Sequence, residues 1–401
     1  MPTGLVLAAL LAPAAAEPAP FVALGPADEH PAGRLLRLTA DGTAELAAGP
    51  KAVAVRDAYS LRRAGAPLPP PPRGPVLVTT TGDRVPGRLL GGDARSLRFR
   101  PAFAPEKADG WKVPLPSAAV VWLTRPPAET PLDPVRYPWL ADNRRRDVLL
   151  FRNGDTLRGS LEAFPDGAVR FKPETGEGRT VPLDRLAALA FNPSLARTRR
   201  PKGPYAHLVL RDGTRLDVTA PVIENEVFRG TAVFGGAVEI PLAELLGLDV
   251  LQGKAVYLSD LKPKRAEQAG FLGPAWPWAA DRDARGGPLR LLTPAGESTF
   301  DKGLGTHPRT TLSYDLGGKF RRFEALVGLD PATGRHGRAD VRVRLDGKEQ
   351  DLPALRSLAA GVAVPLRIDV TGAKELALAI DFGPAGDVQA DVNWGDARLV
   401  E

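Results

Sequence analysis

The sequence predicts an all-β protein, with tandem small β-barrel-like repeats followed by a C-terminal jelly-roll β-sandwich. Three observations carry this. The 42 glycines and 41 prolines are scattered as punctuation between short apolar runs, which favours many strands joined by turns. A middle segment recurs without a gap: "VLVTTTGDRVPGRLLGGDARSLRFRP" (76–101) lies on "VLLFRNGDTLRGSLEAFPDGAVRFKP" (148–173), and self-similarity of this kind marks repeated structural units. From Val256 onward, runs such as "ADVRVRLDGKEQDL" (339–352) and "PLRIDVTGAKELALAIDFG" (365–383) alternate with a period of two and show no helical period.

Taken from the N-terminus, residues 1–16 read as a signal peptide. Residues 5–11 form a short apolar core, and Ala14-Ala15-Ala16 before Glu17 offers a small-residue cleavage site. This predicts a secreted protein, or one of the periplasm or cell envelope. The chain has no cysteine, which excludes disulfides, thiol catalysis and Cys-based zinc sites. An exported chain without disulfides must rest on its cores or on bound ions. No later run approaches the ~18 apolar residues of a membrane-spanning helix. A net charge of +6 over 401 residues permits contact with acidic surfaces without requiring nucleic acid.

Residues 17–66 form a short β-rich segment in which "LLRLTADGTAEL" is too generic to assign to the repeat. Small β-barrel repeats are predicted at 74–125, 147–192 and, more diverged, 203–252. Each reads as strand, tight turn at Gly-Asp, Asn-Gly or Asp-Gly, then further strands. Each later reaches the same kind of corner: Val113-Pro114-Leu115, Val181-Pro182-Leu183 and Ile240-Pro241-Leu242. Asp83, Asp155 and Asp212 sit where turns favour Asp. A Pro/Arg-rich linker at 126–146 carries Arg144-Arg145-Arg146. The stretch "DVLLFRNGDTLRGSL" resembles the first motif of Sm-like small barrels. The Asp-x-x-Met-Asn and Arg-Gly-Asn loops that hold RNA in that family have no counterpart at 162–191, so no nucleic-acid partner is expected.

Residues 256–401 carry "YLSDLKP", "KGLGTHPRTTLSYDL", "FRRFEALVGLD", "VRVRLDGK", "VTGAKELALAI" and "NWGDARL" in order. At these residues the chain resembles the NPCBM family of carbohydrate-binding modules, which have a galactose-binding-like sandwich fold. The resemblance covers about a third of the chain. It implies a glycan or polysaccharide as partner, ligand loops at one end of the sandwich, and a structural Ca2+ as in related folds; no other cofactor is expected. Other envelope proteins are a further class of partner.

The candidate carbohydrate-binding residues are His307 and Arg309, behind the Gly303-Leu304-Gly305 turn, then Asp330, Arg335 and His336 of the 330–338 loop, and Asn393. His, Arg, Asn and Asp supply the donors and acceptors a hydroxyl-rich ligand needs. His307 as a turn residue bonded to backbone, and Trp394 as core rather than platform, are the alternatives. Trp276-Pro277-Trp278 holds two rings in an extended segment. No Gly-x-Ser-x-Gly or His-Glu-x-x-His occurs, and the four histidines are scattered. The expected function is non-catalytic, exported glycan binding or adhesion. The alternatives are an adaptor or scaffold without sugar binding, a glycoside hydrolase accessory, or a nucleic-acid binder.

Overall fold

The computed structural model describes residues 19–27, 31–72, 74–124, 145–197, 200–270, 275–384 and 386–401. The predicted signal peptide and nearly all of the 126–146 linker lie outside the described residues. The fold is all-β: among the described residues the only helical turns are short 3-10 segments.

The predicted barrel at 74–125 is a closed five-stranded meander. Val76–Thr79 pairs with Arg84–Gly92, which pairs with Ser96–Pro101, and that strand with Trp111–Pro114. A 3-10 turn, Leu115–Ser117, then lets Ala118–Trp122 return to pair with Val76–Thr79. The same succession runs from Asp147–Phe151 to Leu186–Ala190, and from Tyr205–Leu210 to Leu245–Leu251. The three Xaa-Pro-Leu corners are those 3-10 turns. Pro114, Pro182 and Pro241 each precede one at φ −60°, −61° and −57°, the value a proline ring imposes at no cost. The tight turns use Gly82, Gly154 and Gly213 at φ 103°, 92° and 87°, a region open to glycine.

A fourth meander, which the sequence pattern left unassigned, fills 21–63. Phe21–Leu24 pairs with Ala32–Leu38 on one side and with Ser60–Arg63 on the other. The four meanders join edge to edge. The first and second repeats meet at Val120↔Ala190, and the N-terminal meander meets the third at Gly247↔Arg62. One continuous core, from Phe21 and Leu46 through Phe99 and Phe171 to Phe228, runs through all four.

The C-terminal region is a sandwich of two six-stranded antiparallel sheets. One contains Gly303–Thr306, Val392–Val400 and Arg322–Leu329; the other contains Thr310–Asp315, Glu375–Phe382 and Arg338–Leu345. Their inner faces close on Phe323, Val341, Leu378 and Trp394. Trp394 is fully buried and donates from Nε1 to Thr306 Oγ1 at 3.3 Å.

Sandwich and barrels share a buried seam. Leu68, Val209 and Leu246 pack with Leu289, Leu291 and Phe300. Beside them, Glu324 accepts from Tyr59 Oη (2.9 Å), Arg322 Nε (2.7 Å) and Arg398 Nε (3.1 Å). Arg62 bridges Asp249 at 2.6 Å and Asp396 at 3.0 Å. Farther along, Arg215 Nε meets Asp301 at 2.5 Å, and His207 lies between Asp217 (2.7 Å) and Asp301 (3.4 Å). Burial works against a charged His207, but its hydrogen bonds to the two aspartates outweigh this and push its pKa up to about 10.

Candidate functional site

The Gly-x-Gly stretch is strand, not turn: Gly303 and Gly305 lie inside Gly303–Thr306. Their missing side chains allow two close approaches. A Cβ on Gly303 would stand 2.1 Å from the Trp394 carbonyl oxygen, and one on Gly305 would stand 2.3 Å from that of Arg282. Gly305 thereby seats the 282–284 backbone against the strand, which delivers Arg285 to the strand's end. There Asp283 Oδ1 accepts from the backbone N–H of Arg285 (2.8 Å) and Gly287 (2.7 Å), fixing the loop.

His307 follows the strand directly and is mostly buried. Its Nδ1–H donates to Asp391 Oδ1 at 2.5 Å, while the other Asp391 oxygen accepts from Arg285 Nε at 2.7 Å. The histidine thus bonds a carboxylate rather than backbone. Burial would raise the Asp391 carboxyl, but the bonds from His307 and Arg285 outweigh it and hold the group below the usual carboxylate range. His307 Nε2 faces Asp387 at 3.8 Å. Over this cluster stands Trp276, 49 % exposed, its ring centroid 5.9 Å from that of His307, with the Arg285 guanidinium 5.6 Å from its ring.

The remaining candidates divide. Asp330 is buried beside Asp391, donating its backbone N–H to the Asp391 carbonyl at 3.0 Å. Its carboxylate accepts from Ala332 N–H, and burial, helped by Asp283 and Asp391, pushes its pKa up to about 6. Arg335 and His336 are exposed on a loop that packs on Gln389: His336 N–H donates to Gln389 Oε1 at 3.0 Å, and a Cβ on Gly337 would meet the Gln389 carbonyl at 1.8 Å. The 330–338 loop and His307 therefore share one end of the sandwich, linked through 387–391. Arg309 parts from His307. It takes φ 61° and lines a shallow hollow on the second sheet with Gln268, Asp340 and Arg342. Asn393 is sealed, donating to the Arg290 carbonyl at 2.9 Å.

Sequence reasoning did not select Arg285, Asp387 or Asp391. Asp391 stood two residues before a selected asparagine, but only the fold brings it to His307, 84 positions away. Among the described residues no group of three or more His, Asp or Glu side chains is placed to hold a metal ion.

The family-model match falls on this region. Residues 254–400 match the family model of the NPCBM/NEW2 domain. A protein of Renibacterium salmoninarum named "Putative endo-alpha-N-acetylgalactosaminidase" is 29% identical over 116 residues, covering 29% of this chain and 7% of its own length. Among solved structures, the CBM51 module from Clostridium perfringens GH95 in complex with methyl-galactose is 25% identical. It aligns over 36% of this chain and 99% of the module, with a TM-score of 0.32. Tandem CBM51 modules of a family 98 glycoside hydrolase from Streptococcus pneumoniae are 12% identical, over 63% of this chain and 87% of theirs, with a TM-score of 0.33. Residues 254–400 of this chain are an NPCBM/NEW2 domain and so belong to a family of carbohydrate-binding modules.

Proposed function

We propose that this protein is an exported, non-catalytic glycan binder whose site is the His307 end of the sandwich. The observation that carries the reading is the exposed Trp276 ring beside an ordered His307–Asp391–Arg285 cluster. An aromatic face covers the C–H side of a pyranose, while oriented N–H groups meet its hydroxyls. His336 and Arg335 stand at the rim with adaptable donors, and the exposed Val388 adds apolar surface.

A hydroxyl gives up hydrogen bonds to water on binding, so each contact contributes only about 0.5–1.5 kcal/mol. Micromolar to millimolar affinity follows, on the order of −8 to −4 kcal/mol, and avidity raises it where several copies engage one polymer. A hydrolase reading would turn to Asp330 and Asp391, whose charge states are pushed apart as in an acid–base pair. Both carboxylates are buried, at 1 % and 2 % exposure, and a scissile bond between them would have no way in.

The test is a glycan array probed with the full chain, followed by titration of the best ligand into wild type and Trp276→Ala. Retained binding in the variant would move the site elsewhere. No binding to any glycan would favour the second reading, an adaptor, for which the long seam between barrels and sandwich is the supporting observation. Cell fractionation tests export: a wholly cytosolic protein would overturn it.

A further inference from the structure

The first barrel repeat differs from its two siblings on one solvent face. In the Ser96–Pro101 strand, Arg98 lies directly opposite Lys112, and Arg100 directly opposite Arg88. Opposed residues on antiparallel strands point to the same side, and Arg98 and Arg100, two apart, share a side as well. Arg88, Arg98 and Lys112 are exposed and Arg100 is half-buried, its guanidinium bonded to the Glu106 carbonyl. No carboxylate among the described residues forms an ion pair with any of the four. Asp93, in the neighbouring turn, takes the N–H groups of Arg95 and Ser96 on Oδ1 and feels the charge of Lys112, but it forms no ion pair with it.

At the matching place in the second repeat, Arg170 faces Thr180 and pairs with Glu162 at 3.4 Å. In the third, Arg229 faces Glu239 directly and pairs with it at 3.5 Å. One position thus holds Lys, Thr and Glu in three copies of one meander, and only the lysine opposes like charge to like charge. Directly opposed like charges cost stability, so the arrangement serves something other than the fold.

We propose that the face formed by Arg88, Arg98, Arg100 and Lys112 binds an acidic polysaccharide, a chain carrying carboxylates or sulfates on successive sugars. The four cations spread over three adjacent strands, which suits an extended polyanion rather than a single small anion. Single-stranded nucleic acid is the poorer fit, because base recognition uses exposed aromatic rings. Phe99, between the two arginines, is buried, and Trp111 is turned to the other side of its strand and packs against Phe103 and Phe234 with centroids 5.6 and 5.4 Å away. This face is separate from the His307 end of the sandwich, so the inference goes beyond the proposed function and stands or falls without it.

The experiment measures binding of a labelled, size-defined heparin oligosaccharide to the full chain across a salt series. Arg98→Gln/Lys112→Gln is expected to weaken binding about tenfold or more and to reduce the slope of log K against log salt by about two, one for each cation removed. Arg170→Gln/Arg179→Gln removes the same charge from exposed positions of the second repeat and is expected to change binding less than about twofold. Lys112→Glu recreates the arrangement of the third repeat. It should abolish binding while leaving the melting temperature equal or higher, which separates loss of the site from loss of the fold. Absence of heparin binding, equal loss in both double variants, or equally tight binding of poly-uridine RNA through the same residues would overturn the proposal.

Discussion

Two histidines in this protein are each gripped by aspartates, and the settings differ. His207 lies in the seam between the third barrel and the sandwich with both ring nitrogens engaged, by Asp217 and by Asp301. His307 lies at the free end of the sandwich with Nδ1 tied to Asp391 and Nε2 only loosely facing Asp387, under a half-exposed tryptophan. The first cluster is closed on itself, and its partners come from both regions it joins. The second is ordered from below and open above. Closure on all sides marks a group that holds structure together, whereas order on one side with access on the other is what ligand binding requires.

The contrast is tested most severely at the seam. Glu324→Ala would leave Arg322 and Arg398 buried without their shared carboxylate, and removing one partner of a buried ionic cluster costs about 3–5 kcal/mol. Denaturant titration of the full chain should show that loss; a value below about 1 kcal/mol would mean that the seam is wetter than its burial indicates.

Gly305→Ala comes next. The new Cβ cannot coexist with the Arg282 carbonyl, and overpacking of this kind costs about 1–3 kcal/mol. Because the same loop carries Arg285 to Asp391, glycan affinity should fall with stability. A variant of unchanged stability would show that the 282–285 loop yields freely.

The seam histidine predicts a pH dependence. Its folded pKa of about 10 lies above the ordinary 6.5, so its contribution is complete below pH 6.5. It declines as pH rises toward 10 and is absent above that. The local slope can reach about 1.4 kcal/mol per pH unit. Melting temperature should therefore fall between pH 7 and 10 in wild type and fall less in His207→Gln; parallel curves would remove His207 as the cause.

Trp276→Ala should have the smallest effect on the fold. A side chain half in solvent typically changes stability by less than about 0.5 kcal/mol, while glycan binding should weaken about tenfold. Trp394→Ala, by contrast, opens a core cavity and should cost about 3–5 kcal/mol.

The fold was legible where local rules repeat. Glycine turns, Xaa-Pro-Leu corners and period-two runs are each set within a few residues. The N-terminal meander escaped recognition because it lacks the proline corner and carries its Asp41-Gly42 turn between its second and third strands rather than its first and second, although its strands close in the same way. The site was half legible. His307 and the 330–338 loop were marked by polar residues beside glycines, but Arg285 and Asp391 become partners only when the sheets close. The seam was illegible, since Arg62 meets residues 187 and 334 positions away and no local pattern encodes such pairings. Asp83 was read as a turn residue and does bond Thr79 and Thr81 in its turn, but its second contact, accepting from the backbone of Asp217 in the third barrel, had no local sign.

The edge-to-edge joining of the meanders carries a consequence for the order of assembly. The N-terminal meander pairs its last strand, Ser60–Arg63, with Leu245–Leu251 of the third repeat, and the two meanders between them in sequence pair with each other. The arrangement is nested, like one bracket inside another. If the inner pair folds first, it draws its own ends together, and the outer strands then close over a much shorter effective loop. On a ribosome, where earlier segments emerge first, the N-terminal meander would have to wait for the third before its edge is covered. Until then its open strand is the part of the chain most exposed to wrong partners.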